Sequence, residues 1–535
     1  MSVARSSLLF SAGTLLSRFS GLIRDMVLLG IFGASSLLDA FIVAFRIPNL
    51  MREMLAEGAL SSSFTKVFSQ LMTNDEKSAY RLFVDSLVLF SIVAVLICTL
   101  GVIFAPEFVA MMSLKVAEGQ REYFTTSAIG MTRILFPYLG LTMMASIIMG
   151  ALHEKGNFFL SAVSPIAFNI GFILGAWILS DLFDRLSPGW LEALLGDPRG
   201  IGLAFGVLLG GIMQLIIQLT VVMKPLIKQF RVNGLHINIS PELKQVVSLM
   251  VPAVIAASAG PVNVFVNTNF ATALGEGAVT WLNASFRLLQ LPIGLFGVAV
   301  GVAVLPAMSR ALKHGSVKVS EQASRHLQVG IELVFWLMVM CFIFLLVNHL
   351  EIVTLLYRHG NFSEIDARNT ANALFAYSFG VVGYGLIKVF TSFYYAAEKT
   401  KFAMKVALFS IIVNFIGNYI LVDKFGYVGL ALTSAVTLSF NALVLGIGLV
   451  PAGVTLDFKK LFRSLFCLAF AALSSWFLMS LVRRFFINLD TNFHTKIDSA
   501  IVLLLTGVLM LAMFTVGASA YLKSSPLQWI RKAKG

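Results

Sequence analysis

Cysteine and histidine are nearly missing from this chain of 535 residues, with three of the one and seven of the other. Cys98, Cys341 and Cys467 each lie alone in an apolar run, which excludes a disulfide framework and the paired Cys/His spacing of a zinc site. Charge is scarce too: Asp, Glu, Lys and Arg make up 13% of the residues, against 58% hydrophobic. An ordinary soluble domain carries about 25% charged residues, so the chain has no room for a large extramembrane domain. Acidic residues are the scarcer sign, 27 against 40 basic. The surplus of +13 is spread over short loops rather than gathered in one basic domain, which argues against nucleic acid as a partner.

What the sequence has instead is long apolar runs, with a mean hydropathy of +0.87. Windows of about 20 apolar residues, enough to cross a hydrocarbon core, recur about fourteen times. They fall near 6–33, 36–65, 81–106, 122–151, 158–181, 200–223, 243–273, 278–308, 323–347, 370–397, 402–422, 427–450, 460–482 and 498–522. The fold class is an all-α polytopic membrane protein. Its first run is broken by Arg18 and Arg24 and offers no cleavage site, so it is expected to stay as a span rather than leave as a signal peptide. With both termini in the cytoplasm, roughly 23 basic residues fall inside against about 10 outside, the bias that sets membrane orientation.

An internal repeat organises the spans. His153-Glu154-Lys155-Gly156-Asn157-Phe158 and Ala397-Glu398-Lys399-Thr400-Lys401-Phe402 occupy equivalent joints 244 positions apart, and the same offset carries Pro48 to Pro292. Gly202-Leu203-Ala204 and Gly429-Leu430-Ala431 correspond at a shorter offset, the outside loop 182–199 having no long counterpart. Six spans per copy is an even number, so the copies share an orientation. The expected organisation is an N-terminal lobe at 1–224, a cytoplasmic linker at 225–242, a C-terminal lobe at 243–450, and a helix pair with a basic tail at 451–535.

Against this apolar background the charges in the first two runs stand out: Arg18, Arg24, Arg46 and Arg52, with Asp25, Asp39, Glu53 and Glu57. Each charge at the centre of a bilayer costs roughly 2.5–3.5 kcal/mol, so four lipid-facing arginines would cost about 10–14 kcal/mol. They are expected to face a wet internal cavity. Asp39, Arg46 and Glu53 recur every seven residues as a polar stripe, and Pro48 interrupts that helix. Arg18 and Asp25, also seven apart, share a face from which Arg24 points away. Arg287 stands in Ala284-Ser285-Phe286-Arg287-Leu288-Leu289-Gln290-Leu291-Pro292 with no acid nearby in sequence. Arg133 and Lys388 lie nearer the middles of spans four and ten, where helix packing explains them as directly as a ligand does. Ion pairs between helices and ligation of an anion are both open for the arginines. On the second reading Arg18, Arg24, Arg52 and Arg287 bind, while Asp25, Asp39, Arg46 and Glu57 balance charge or gate. Guanidinium forks suit phosphate oxygens and stay charged at any physiological pH. Asn267, Asn414, Asn418 and Ser434 offer neutral oxygens to a sodium ion, but they bring no carboxylate, and hydrogen bonding between helices accounts for them as well.

Ser17-Arg18-Phe19-Ser20-Gly21-Leu22-Ile23-Arg24-Asp25, Asp39-Ala40-Phe41-Ile42-Val43-Ala44-Phe45-Arg46-Ile47-Pro48-Asn49-Leu50 and Ala56-Glu57-Gly58-Ala59 resemble the MurJ (MviN-type) lipid II flippases. Arg287 to Pro292 with Gly294-Leu295-Phe296-Gly297-Val298-Ala299 is similar to that family's eighth helix. The resemblance implies a member of the multidrug/oligosaccharidyl-lipid/polysaccharide exporter superfamily, a transporter rather than an enzyme. It implies alternating access in the bacterial inner membrane, moving undecaprenyl-pyrophosphate-linked peptidoglycan precursor from the cytoplasmic to the periplasmic leaflet. It places Arg18, Arg24, Arg52 and Arg287 on the family's essential cavity arginines and Asp39 on its functional acid, and gives the last two helices an apolar groove for the lipid tail. Glu53 stands where members often carry a second basic residue, and Phe286 and Gln290 where some carry acids. No cofactor is expected, coupling is left between membrane potential and a monovalent cation, and the protein is expected to act as a monomer. The alternatives are a flippase for another polyprenyl-linked glycan or a membrane glycosyltransferase or polymerase. The loops 182–199 and 348–369 show no acid–base constellation for the enzymes, and Asp181, Asp184 and Asp197 read as loop solvation.

Overall fold

The structure, a computed structural model, describes residues 3–113, 121–154, 156–233, 240–297, 299–301, 304, 308, 320–489 and 496–522. Lys155, Arg310, Lys313, Lys318, Val298, part of the 225–242 linker and the basic tail from Lys523 lie outside the described residues. Among the described residues the secondary structure is helical throughout. Nine helices among the described residues are long and apolar enough to cross a membrane, or eleven if each of two bent pairs is one span. This is a multi-pass membrane protein, in which lipid leaves the backbone no partner but itself.

The chain divides into two compact units, Met1–Thr280 and Trp281–Gly535. The first holds α1 (Val3–Phe32), α2 (Ser36–Met51), a π-helical continuation (Arg52–Leu60), α3 (Ser61–Asn74), α4 (Glu76–Ile103), α5 (Ala105–Met112) and α6 (Arg121–Glu154). It continues through α7 (Phe158–Leu174), a second π stretch (Gly175–Leu179), α8 (Ser180–Leu186), α9 (Gly189–Leu195), α10 (Pro198–Asn233), α11 (Pro241–Ala257) and α12 (Ala259–Ala271). Helix starts carry capping oxygens: Ser35 for α2, Asp75 for α4 and Ser240, followed by Pro241, for α11. Hydrogen bonds from the Ser78 hydroxyl and amide hold the Asp75 carboxyl below the usual carboxylate range.

Two glycine pairs bring two helices of this unit close together. A Cβ on Gly171 would lie 2.4 Å from Gly210 Cα, and one on Gly175 2.2 Å from Gly206 Cα. Gly171/Gly175 and Gly206/Gly210 are both small-xxx-small pairs, running in opposite senses, so α7 and α10 pack backbone against backbone. A separate apolar core joins Phe64, Phe68, Phe83, Ile147 and Leu152 to Leu243 and Val246 of α11.

The second unit follows α13 (Ala278–Pro292), which ends in a third π stretch (Ile293–Gly297), with α14 (Glu321–Tyr357) and α15 (Glu364–Ser378). Then come α16 (Val381–Ala396), α17 (Thr400–Ile447), α18 (Phe458–Leu489) and α19 (Lys496–Leu522). Helix α17 runs 48 residues but breaks at Gly426, whose φ of 55° only glycine adopts easily. That break separates the two spans expected at 402–422 and 427–450. Ser363 and Asp366 form a capping box at the start of α15.

Polar contacts near both ends of α14 fasten α18 and α19. At one end Glu332, 1% exposed, accepts from Tyr521 Oη (2.9 Å) and Gln328 Nε2 (2.9 Å). At the other, Arg483 Nε donates to Glu351 (2.7 Å), and Thr506 Oγ1 to Asn348 (3.2 Å). Between them Ile343, Val347, Leu468, Met479 and Phe514 form an apolar core.

Two expected loops are corrected. The segment 348–369 is shortened because α14 runs to Tyr357 and α15 begins at Glu364. The segment 182–199 carries α9 and parts of α8 and α10. Asp197 there is not merely solvated: it accepts from Tyr123 Oη (2.7 Å) and Arg199 N (2.8 Å), while the exposed Asp181 pairs with Arg185 at 3.0 Å.

Candidate functional site

Arg24 is 8% exposed, and its three guanidinium nitrogens are all engaged. Nε and Nη2 donate to Asp25 Oδ1 at 3.0 and 2.7 Å, and Nη1 donates to Asn169 Oδ1 at 3.1 Å. Asn169 is fixed in turn by donating to Ser20 Oγ (2.7 Å). The Phe172 ring lies 5.0 Å from the guanidinium carbon, a cation–π contact on its apolar side. The side chain thus turns to its sequence neighbour Asp25, although the backbone positions face apart. Arg18, one face away on α1, is half-buried.

Arg52 opens the π stretch that follows Pro48. Its Nε donates to Asn49 Oδ1 (3.1 Å), its Nη1 to Glu57, and Nη2 lies 3.9 Å from Glu53. Asn49 also donates to Glu53 Oε1 (2.8 Å). A pair five residues apart belongs to π geometry, where i and i+5 come together. In an α-helix the two would diverge by about 140°. Gly58 makes the packing of this stretch possible, since a Cβ there would lie 2.9 Å from Glu53 O and 3.0 Å from Ala257 Cβ.

Tyr138 of α6 belongs to an aromatic cluster whose member Phe172 lies against Arg24. Behind it Phe45, Phe168 and Phe172 form an aromatic wall, Tyr138 lying 5.7 Å from Phe45 and 5.2 Å from Phe168. Arg46 is half-buried on α2.

Asp39, 3% exposed, does something else. Its Oδ2 accepts from Gly277 N (2.7 Å) and its Oδ1 from Thr280 N (2.8 Å) and Thr280 Oγ1 (2.6 Å). It caps the start of α13 from another helix, satisfying amides that α13 cannot. Ser36 N adds a bond to Glu276 (2.8 Å). Seven residues on from Thr280, Arg287 is exposed on α13 between buried Ser285 and Leu288. Phe286 packs on Tyr377 at 5.4 Å.

In the second unit an apolar cavity of about 450 Å³ is lined by Leu288, Pro292 and Phe296, by Phe344 and Leu355 of α14, and by Met510 of α19. Of the neutral-oxygen candidates, Asn418 donates to Asn414 (3.2 Å), Ser434 donates to Leu430 O of its own helix (2.9 Å), and Asn267 is half-buried on α12. No group of three His, Cys, Asp or Glu that could hold a metal occurs among the described residues. Asn169 and Tyr138 escape sequence reasoning because both lie far along the chain from the arginines and carry no charge.

A profile of the family described as lipid II flippase MurJ matches residues 29–522. The chain belongs to that family. A lipid II flippase MurJ from Burkholderia cenocepacia is 32% identical over 455 residues, covering 85% of each chain. A solved MurJ lipid II flippase in an inward closed conformation superposes with a TM-score of 0.76 at 21% identity, over 96% of this chain and 99% of its own. An inward-facing multidrug MATE transporter of the MOP superfamily follows at 0.62 and 14% identity, over 83% and 97%. These two show a shared fold. MurJ relatives are named for flipping, so the family places this protein among transporters rather than enzymes.

Proposed function

We propose that this protein flips lipid II, the undecaprenyl-pyrophosphate-linked peptidoglycan precursor, from the cytoplasmic to the periplasmic leaflet of the bacterial inner membrane. It does so by alternating access, as a monomer with both termini cytoplasmic. The observation that carries the reading is that Arg24 and Arg52, on successive helices of the first unit, are each already held by a carboxylate. Asp25, Glu53 and Glu57 keep the buried Arg24 and the half-buried Arg52 neutralised until a stronger anion arrives. A pyrophosphate brings more charge and more acceptor oxygens than a carboxylate, so it competes for the same N–H groups. Arg18 and Arg287 add further donors in this reading, and Asp39 and Arg46 set gating and charge balance. The apolar cavity of the second unit suits the isoprenoid chain, which needs no polar partner.

The test is depletion of the protein followed by measurement of the leaflet in which lipid II accumulates, with variants restored at equal membrane levels. Wild type is expected to return lipid II to the periplasmic leaflet, and Arg24→Ala or Arg287→Ala to leave it cytoplasmic. Arg24→Lys is also expected to fail, because a point charge does not replace a fork held on Asp25 and Asn169. Full flipping by Arg24→Ala would remove the arginine from the mechanism. Proteoliposomes with imposed membrane potentials and exchanged monovalent cations read the coupling.

A further inference from the structure

Helices α8 and α9 turn large apolar side chains outward. Leu186 is 70% exposed, Trp190 68% and Leu194 56%, and Leu182 is exposed too. They come in pairs one helical turn apart, Leu182 with Leu186 and Trp190 with Leu194, so each pair shares a face. The other faces are occupied differently. On α8, Phe183 stacks on Phe205 of α10 at 5.4 Å, and Asp181 and Arg185 pair beside it. On α9, Glu192 points away from Trp190 and Leu194 and is exposed.

The hairpin is firmly pinned at its far end. A Cβ on Gly130 of α6 would lie 1.9 Å from Leu195 O, and one on Gly196, at φ +79°, 2.5 Å from Ser127 Cα. Asp197 N donates to Ser127 Oγ (3.3 Å). Fastened in this way, α9 cannot fold back to cover Trp190 and Leu194. Large apolar side chains this exposed on two successive helices call for a partner. Continuity says which: α8 ends a candidate membrane span, Phe159–Leu186, on which Trp177 and Ile178 are 69% and 53% exposed. The pair on α8 lies on the last turns of that span, and the pair on α9 carries the lipid-facing surface past its end. Tryptophan with flanking charges is the composition that settles at a membrane–water interface.

We propose that the α8–α9 hairpin lies in the bilayer interface at that end of the span. Leu182, Leu186, Trp190 and Leu194 enter the acyl boundary, while Asp181, Arg185 and Glu192 stay at headgroup level. The partner is the lipid surface itself. Because the hairpin is fused to α6 and α10, it fixes the depth of the first unit in the membrane.

The test uses the full chain in phospholipid nanodiscs, with Cys98→Ser, Cys341→Ala and Cys467→Ala as background and a spin label at Leu194→Cys or Glu192→Cys. Collision with oxygen is expected to exceed collision with a water-soluble nickel chelate several-fold at position 194, and the ratio to reverse at 192. Equal nickel access at both positions overturns the proposal, and so does exclusion of both reagents at 194, which would mean that protein covers the face. The label-free arm compares tryptophan quenching by shallow-brominated lipid in wild type and Trp190→Phe. The fluorescence lost with Trp190 is expected to belong to the quenched fraction; if it belongs to the unquenched fraction, Trp190 is not in lipid.

Discussion

Replacing Asp39 with asparagine keeps the size of the side chain and removes one acceptor. Asp39 receives three hydrogen bonds, from Gly277 N on one oxygen and from Thr280 N and Oγ1 on the other. Asparagine has a single acceptor oxygen, so whichever way its amide is turned, an NH2 group confronts a backbone N–H. A hydrogen bond to a charged group contributes about 1.5–3 kcal/mol, and a buried donor left without a partner costs about 1–3 kcal/mol. Part of these overlaps, so the start of α13 is expected to open more easily by about 2–4 kcal/mol. At about 1.4 kcal/mol per factor of ten, that is a gain of some thirtyfold to several-hundredfold in local opening. Hydrogen exchange by mass spectrometry over residues 275–282, in the full-length protein, reads it directly. Peptides of α6 serve as the control for global loosening. Exchange at Gly277 and Thr280 within twofold of wild type would refute the cap.

Gly58→Ala is expected to destabilise the first unit by about 1–3 kcal/mol, because the new methyl overlaps Ala257 Cβ and Glu53 O. An unchanged thermal midpoint would mean that α11 yields freely. Arg483→Ala strands Glu351, 2% exposed, without its cation, at about 3–5 kcal/mol. Adding Glu351→Gln should recover most of the lost thermal stability, and no recovery would show that the pair is not the cause. Gly130→Ala forces α6 and α9 apart at Leu195 O. Limited proteolysis should then cut near 187–197, and an unaltered pattern would argue against the pinned hairpin.

The spans from α4 onward were legible because a hydrocarbon core demands long apolar runs, and even the break inside α17 is signalled by Asp423-Lys424-Phe425-Gly426. The acids beside the arginines were legible as partners for the same reason, since charge in lipid must be neutralised. Which acid meets which arginine was not. Arg24 takes the adjacent Asp25 because its long side chain bends across the helix face, and it reaches Asn169, which lies 145 positions away. Asp39 reads as one member of a stripe with Arg46 and Glu53, yet it serves amides 238 and 241 positions on. A periodicity of 3.6 also hides the π stretches, and with them the Arg52–Glu57 pair. The apolar hairpin at α8–α9 was obscured because its acids resemble those of any solvated loop.

The π stretch from Arg52 to Leu60 acts as a screw thread with one residue too many per turn. Its winding and the Arg52–Glu57 pair hold each other in place: rewound as an α-helix, the stretch would carry Glu57 about 140° away from Arg52. An anion that displaces Glu57 from the guanidinium therefore also removes the contact that favours the extra winding. Residues beyond Leu60 would then turn about the helix axis rather than tilt. Pro292, the repeat partner of Pro48, is likewise followed by a π stretch, Ile293–Gly297. Pro48 and Pro292, 244 positions apart, are thus each followed by a local π winding.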